Sequence, residues 1–107
     1  MKHFQDQVLA MSVATMLTKQ YEVYSARVDA SIPGAGICYG VNKGPATTYL
    51  VFTYGIVGGR SQLDGVCIVD YVDSRPKIVA EHAINGESFD DLTEKVAKVA
   101  KWVFANV

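Results

Sequence analysis

The chain has 107 residues, a formal net charge of −1 and an apolar fraction of 50%. These values predict one folded domain over residues 1–107 and exclude an intrinsically disordered chain. No run of Lys or Arg supplies a basic face, so nucleic acid is not an expected partner. The apolar run Val8–Leu17 follows the polar residues 5–7 and precedes no small-residue cleavage site. We therefore expect no signal peptide, no membrane span and a cytoplasmic location.

The first predicted element is a helix over residues 4–20, which contain no Gly or Pro and many helix-forming residue types. Its apolar positions do not form a single stripe when spaced at about 100° per residue. A helix that is apolar on most of its circumference is buried on more than one side. Two arrangements satisfy this pattern: a central place between the sheet and a second helix, or a contact in an oligomer.

The middle of the chain has the pattern of an antiparallel sheet. Residues 21–31 alternate in hydrophobicity, as a strand does, and further strands are predicted at residues 37–41, 47–57, 65–73 and 77–84. Eight of the nine glycines lie between Gly34 and Gly65, where they punctuate the sequence with turns. Because the connections are short, neighbouring strands are expected to pair antiparallel.

The final predicted element is a helix that begins near Ser88, where the hydroxyl can cap its first turn and Asp90 and Asp91 favour its positive end. One apolar arc, flanked by Phe89, contains Leu92, Val96, Val99, Ala100, Val103 and Phe104. The sequence thus predicts an α+β fold: an N-terminal helix, an antiparallel meander of about five strands and a C-terminal helix.

The glycine-rich segments offer one weak ligand site. Gly34 and Gly36 resemble a dinucleotide fingerprint only superficially, because a strand follows them where phosphate binding needs a helix N-terminus. No cofactor is therefore expected. The turn Gly58-Gly59-Arg60-Ser61 has two interpretations: a hairpin loop with a solvated arginine, or a nest of backbone N–H groups that binds a carboxylate or phosphate.

No catalytic or metal-binding constellation stands out. His82 is the better placed histidine, and Asp70 lies on the adjacent predicted strand, but Glu81 projects from the sheet face opposite to His82. Cys38 and Cys67 fit no metal or redox spacing. We expect two buried reduced thiols, with a disulfide between neighbouring strands as the alternative.

The predicted sheet is apolar on both faces, which is the main clue to function. We expect the helix-covered face to carry Tyr24, Ala26, Val28, Leu50, Phe52, Tyr54, Cys67, Val69 and Tyr71. The opposite face then needs a cover, which is either a partner or the first helix. The expected partner-binding residues are Tyr49, Val51, Val66, Ile68, Val79 and, on the last helix, Trp102. The alternative for Trp102 is that it folds over a neighbouring loop.

These observations favour a small non-enzymatic protein that acts by protein–protein contact, as a homo-oligomer (expected to be a homodimer), an adaptor or an inhibitor of a larger assembly. The alternative hypothesis is a small-ligand binder or an enzyme. It would use the glycine-rich turns with Arg60, together with His82 and Asp70. The two hypotheses differ in geometry, because groups that act on one small substrate must converge.

Overall fold

The computed structural model describes residues 2–84 and 92–107 and confirms the predicted α-β-β-β-β-β-α order. The elements are α1 (Lys2–Leu17), β1 (Glu22–Ser25), β2 (Ala35–Asn42), β3 (Thr47–Val57), β4 (Arg60–Val72), β5 (Arg75–Ala83) and α2 (Leu92–Asn106). The strands form one antiparallel sheet in the order β1-β2-β3-β4-β5. The predicted helix cap at residues 88–91 and the flanking Phe89 lie outside the described residues.

Both helices pack on one face of the sheet. In α1 the inward side chains are Leu9, Ala10, Val13 and Leu17, and in α2 they are Val99, Ala100 and Val103. They meet a sheet surface that includes Val41, Leu50, Phe52, Val66 and Ile68. Burial of each large side chain stabilises the fold by roughly 1.5–3 kcal/mol. The predicted apolar arc of α2 is therefore confirmed as its core-facing side.

The strand register corrects the predicted sheet faces. Directly opposed residues of an antiparallel pair share a face, and the structure pairs Phe52 with Val66 and Val51 with Cys67. The predicted face is right for β3 but inverted for β1 and β4: Tyr24, Cys67, Val69 and Tyr71 lie on the face away from the helices. In β4, both the even-numbered and the odd-numbered positions carry apolar residues, so its sequence does not specify which set faces the helices.

The second face of the sheet is covered by residues 26–34, which we call the strap. Residues 26–31 were predicted to continue β1, but the strand ends at Ser25 and the chain crosses the sheet instead. From the strap, Ala26, Val28 and Ile32 contribute to a second apolar cluster with Cys38, Val51, Cys67 and Val69. Neither a partner nor α1 is needed to cover this cluster.

Candidate interaction surface

The structure divides the predicted partner-binding residues between separate environments. Val66 and Ile68 lie under the helices and are each 2% exposed, so their assignment to the uncovered sheet face was wrong. Val51 does lie on the second face, but the strap leaves it 1% exposed. Tyr49 is half-buried beside Tyr71, with an edge-to-face ring contact at a centroid distance of 5.3 Å. Only Val79 in this sheet set is widely exposed.

Trp102 is half-buried and packs against the core under the helices. Its ring stacks on the imidazole of His82 in β5, with the ring centroids 5.2 Å apart. It covers a strand, whereas the sequence suggested an exposed contact residue or a cover for a loop. The indole therefore contributes to holding α2 on the sheet.

The candidate ligand-binding residues are spread along the sheet. Gly58 and Gly59 have positive φ values and form the tip of the β3–β4 hairpin, where Arg60 is exposed. His82 pairs with Val66, six residues from Arg60 along β4, which corresponds to roughly 20 Å at the usual rise of a strand. The strand register therefore does not bring Arg60 and His82 to one small substrate.

Asp70 is also remote from His82, because it pairs with Lys77, five residues away along β5, or roughly 16 Å. Its carboxylate accepts a hydrogen bond of 2.5 Å from the Thr48 hydroxyl. Asp70 thus has a local structural partner, Thr48 of β3, and lies beside the end of β5 that is opposite to His82. The charged groups of the ligand hypothesis do not converge.

The two thiols are free and buried, as the sequence predicts. Cys38 on β2 and Cys67 on β4 flank Val51 on the strand between them, so two strand spacings of about 5 Å each separate their positions. That separation does not suit a disulfide. Burial raises the pKa of both thiols. For Cys67, burial and a smaller effect of the Glu81 carboxylate together raise the pKa to about 11.

In residues 2–84 and 92–107, no cluster of three or more His, Cys, Asp or Glu side chains could hold a metal ion.

The outward side of α1 forms an apolar surface whose residues are not among the predicted partner-binding positions. We define the α1 outer stripe as Val8, Met11, Ser12, Thr15 and Met16. These residues have the i, i+3, i+4, i+7, i+8 spacing of one helix face and form one continuous surface. Met11 is 60% exposed and Met16 37%. The core-facing residues of α1 lie on the other side of the helix.

The α1 outer stripe is also free of charge. No Asp, Glu, Lys, Arg or His occurs from Gln7 to Thr18, whereas the exposed residues of α2 include Glu94, Lys98 and Lys101. A solvent-facing helix surface normally carries charged residues. This charge-free interval is the sequence signal that could have located the surface.

The apolar surface continues from α1 towards the β1 edge of the sheet. A groove of about 180 Å³ is lined on the α1 side by Met11, Ala14, Thr15 and Thr18 and on the sheet side by Val23, Tyr24, Ser25 and Tyr39. Tyr24 is 43% exposed, and its ring lies over Gly40, where a Cβ atom would collide with it. Because the Tyr24 ring lies on the opposite sheet face, the residues that border the exposed side of α1 through their side chains are Val23 and Tyr39.

Comparisons with protein-family models, with curated proteins and with solved structures gave no significant match. Within the described part of the chain, no helix is both long enough and apolar enough to cross a membrane. Functional inference therefore rests on the exposed surface and its physical properties. The most distinctive feature of that surface is the α1 outer stripe.

Proposed function

We propose that this small protein acts through protein–protein contact and that its primary partner is a second copy of the same chain. The proposed interface is the α1 outer stripe. The observation that carries the proposal is an exposed helix face with two methionines and no charge between Gln7 and Thr18. Such apolar surfaces favour association because contact removes them from water.

The lack of charge favours a second copy over an unrelated protein. In a two-fold dimer, residues near the symmetry axis meet their own copies, so any charge there would face a like charge. Antiparallel packing of two α1 helices near Ser12 would place Val8 of each copy near Met16 of the other. Thr15 and Ser12 are small enough to allow close approach of the helices. The stripe is therefore chemically compatible with itself.

The groove beside α1 extends the proposed contact. A stable interface buries roughly 800 Å² per partner, which requires more surface than the exposed face of one helix. Val23 and Tyr39, which lie on the helix-covered face, supply apolar and aromatic surface next to the stripe, and methionine adapts readily to irregular apolar grooves. We expect a methionine of the second copy to fill this groove.

The exposed apolar surface of β5 is less suited to self-association. Ile78 and Val79 are exposed on the edge strand β5, but a bulge between Ile68 and Val69 of β4 leaves Val79 outside the regular pairing. Bulges hinder strand addition at a sheet edge. The charged residues Arg75, Lys77 and Glu81 also lie on β5. These features favour α1 as the interface.

The test is the oligomeric state, measured by sedimentation equilibrium over a range of protein concentrations. We expect the wild-type chain to dimerise and Met11→Glu to be monomeric. At concentrations low enough for the wild type to be monomeric too, the two chains should have the same urea midpoint of unfolding. Val79→Glu is the matched control, because it places the same charge on an exposed apolar residue of β5. It should leave the dimer intact.

Two results would overturn the proposal. A wild-type chain that stays monomeric at concentrations of hundreds of micromolar would exclude self-association. Dissociation by Val79→Glu with no effect of Met11→Glu would move the interface to the β5 edge.

A further inference from the structure

The strap covers a row of cross-strand neighbours that contains both cysteines. Cys38 pairs with Val51, which pairs with Cys67, so the three residues lie side by side on β2, β3 and β4. Ile32 of the strap is 7% exposed in the same cluster. The strap therefore limits access to Cys38 from this side, whereas Cys67 also borders a groove of about 330 Å³ between Ile32 of the strap and Glu81 of β5.

The ends of the strap are attached through the backbone. At its start, the Ala26 N–H donates to the Cys38 carbonyl, and at its end the Tyr54 N–H donates to the Gly34 carbonyl, at 3.0 and 2.8 Å. Gly34 has a φ of 73°, which glycine adopts without strain. The strap is thus a loop fixed at two points that lie on different strands of the sheet.

The middle of the strap is attached through side chains. The Tyr71 hydroxyl, on β4, donates a hydrogen bond of 2.8 Å to one carboxylate oxygen of Asp29. The other oxygen accepts from the Ser31 backbone N–H and hydroxyl, at 2.8 and 2.6 Å. Asp29 therefore shapes the strap locally and connects it to the sheet. Tyr71 is 44% exposed, so water can compete for this connection.

The forces that hold the strap are weaker than those that hold the sheet. Its packing against the second cluster relies on the small side chain of Ala26 and on Val28, both only partly buried, besides Ile32. Segments with few buried apolar contacts and exposed hydrogen bonds open at a free-energy cost below that of global unfolding. The sheet beneath, in which each strand pairs with the next one along the chain, would remain folded during such an opening.

We propose that the strap is a conformational gate over the two thiols, with the Tyr71–Asp29 hydrogen bond as its latch. With the strap closed, Cys38 and Cys67 are only 5% and 4% exposed, so reagents reach them slowly. With the strap open, they become accessible while the sheet and helices stay folded. The gate does not depend on self-association, because it lies on the sheet face opposite to the helices.

The experiment measures the rate at which a maleimide reagent labels each cysteine, with mass spectrometry to separate Cys38 from Cys67. Tyr71→Phe removes the latch hydroxyl and keeps the ring on Tyr49, and Asp29→Asn weakens the latch at its other end. Each variant should raise the labelling rate of both cysteines by about two- to tenfold, as expected for loss of one hydrogen bond. Tyr39→Phe, which removes a hydroxyl from the helix-covered face, should leave the rate unchanged.

Urea dependence distinguishes gate opening from global unfolding. Wild-type labelling should be nearly independent of urea at low concentration, because opening a strap exposes little surface. Unchanged labelling in both latch variants would overturn the proposal. So would wild-type labelling that rises from zero urea with the full slope of global unfolding. A rate increase in Tyr39→Phe equal to that in Tyr71→Phe would also count against a specific latch.

Discussion

Trp102 in α2 and His82 in β5 stack with their ring planes 25° apart, and this contact ties the last helix to an edge strand. The indole also packs against the main core. The contact explains why Trp102 lies away from the apolar arc of α2 that contains Val99 and Val103. The edge strand β5 lies on that side of the helix. Trp102 is therefore first of all a packing residue.

Replacement of Trp102 by Ala should lower the free energy of unfolding by about 2–3 kcal/mol, somewhat less than for a fully buried tryptophan. It should leave the dimer dissociation constant unchanged, because the α1 outer stripe does not include this residue. Urea denaturation and sedimentation equilibrium measure the two quantities. Trp102→Phe, which keeps a ring over His82, should restore most of the stability. A stable but monomeric Trp102→Ala variant would instead indicate that Trp102 belongs to the dimer interface.

Ile68 and Val79 provide a direct test of the corrected sheet faces, because they are 2% and 48% exposed. Ile68→Asp places a carboxylate without a partner in the core under the helices and should cost about 4 kcal/mol or more, enough to unfold a marginally stable domain. Val79→Asp should change stability by only about 0.5 kcal/mol. Thermal melts followed by circular dichroism separate these outcomes. Similar melting temperatures for the two variants would contradict the assigned register.

The latch also has a defined pH dependence. The hydrogen bond to Asp29 and, to a smaller extent, burial raise the pKa of Tyr71 to about 12, with minor effects of Tyr49 and Cys38. Since the folded-state pKa lies above the usual tyrosine value of 10.0, this stabilisation is complete below pH 10.0 and is lost as the pH rises towards about 12. A difference titration of phenolate absorbance between wild type and Tyr71→Phe isolates this group. Asp29→Asn should lower the pKa of Tyr71, and an unchanged titration would contradict the latch geometry.

Asp29 should produce the complementary effect at acid pH. Hydrogen bonds from the Ser31 hydroxyl, the Ser31 N–H and the Tyr71 hydroxyl hold the pKa of this carboxyl below 3.8. The stabilisation of the ionised form is therefore present above pH 3.8 and is lost as the pH falls through the lowered value. Amide hydrogen exchange of Ser31 should accelerate in this acid range relative to the intrinsic rate. Asp29→Asn, which cannot ionise, should show no such transition.

An uncharged interface should make dimerisation insensitive to salt. Between about 0.05 and 0.5 M sodium chloride, the dissociation constant should change by less than about twofold, because no ion pair across the α1 outer stripe is available for screening. Sodium sulfate should tighten the dimer by strengthening apolar burial. Sedimentation equilibrium at each salt concentration gives the comparison. A strong weakening by sodium chloride would point to a charged surface as the interface.

The sequence predicted the elements with the strongest local pattern. β3 was predicted with its observed limits because residues 47–57 combine β-branched and aromatic types between two turns. The strap was missed because Ala26 and Val28 continue the alternation of β1 while they pack on the sheet face that they cross. Its latch joins residues 42 positions apart, a distance beyond the reach of local periodicity.

The interaction surface was only partly predictable for a related reason. The pattern of α1 indicated burial on more than one side, and the absence of charge from Gln7 to Thr18 was visible in the sequence. Which side remains exposed depends on the packing of α1 against β4 and α2, and those contacts are long-range. A sequence can therefore indicate that a helix has two apolar sides before it specifies which one meets the core.

The meander topology keeps all strand pairing local in the sequence. Each strand pairs with the strand next to it in sequence, whereas the contacting helices α1 and α2 are separated by residues 18–91. Closing short hairpin loops costs less chain entropy than bringing such distant segments together. We therefore expect the sheet to form first and the helix layer to dock on it late. Substitutions between the helices would then accelerate unfolding more than they slow folding.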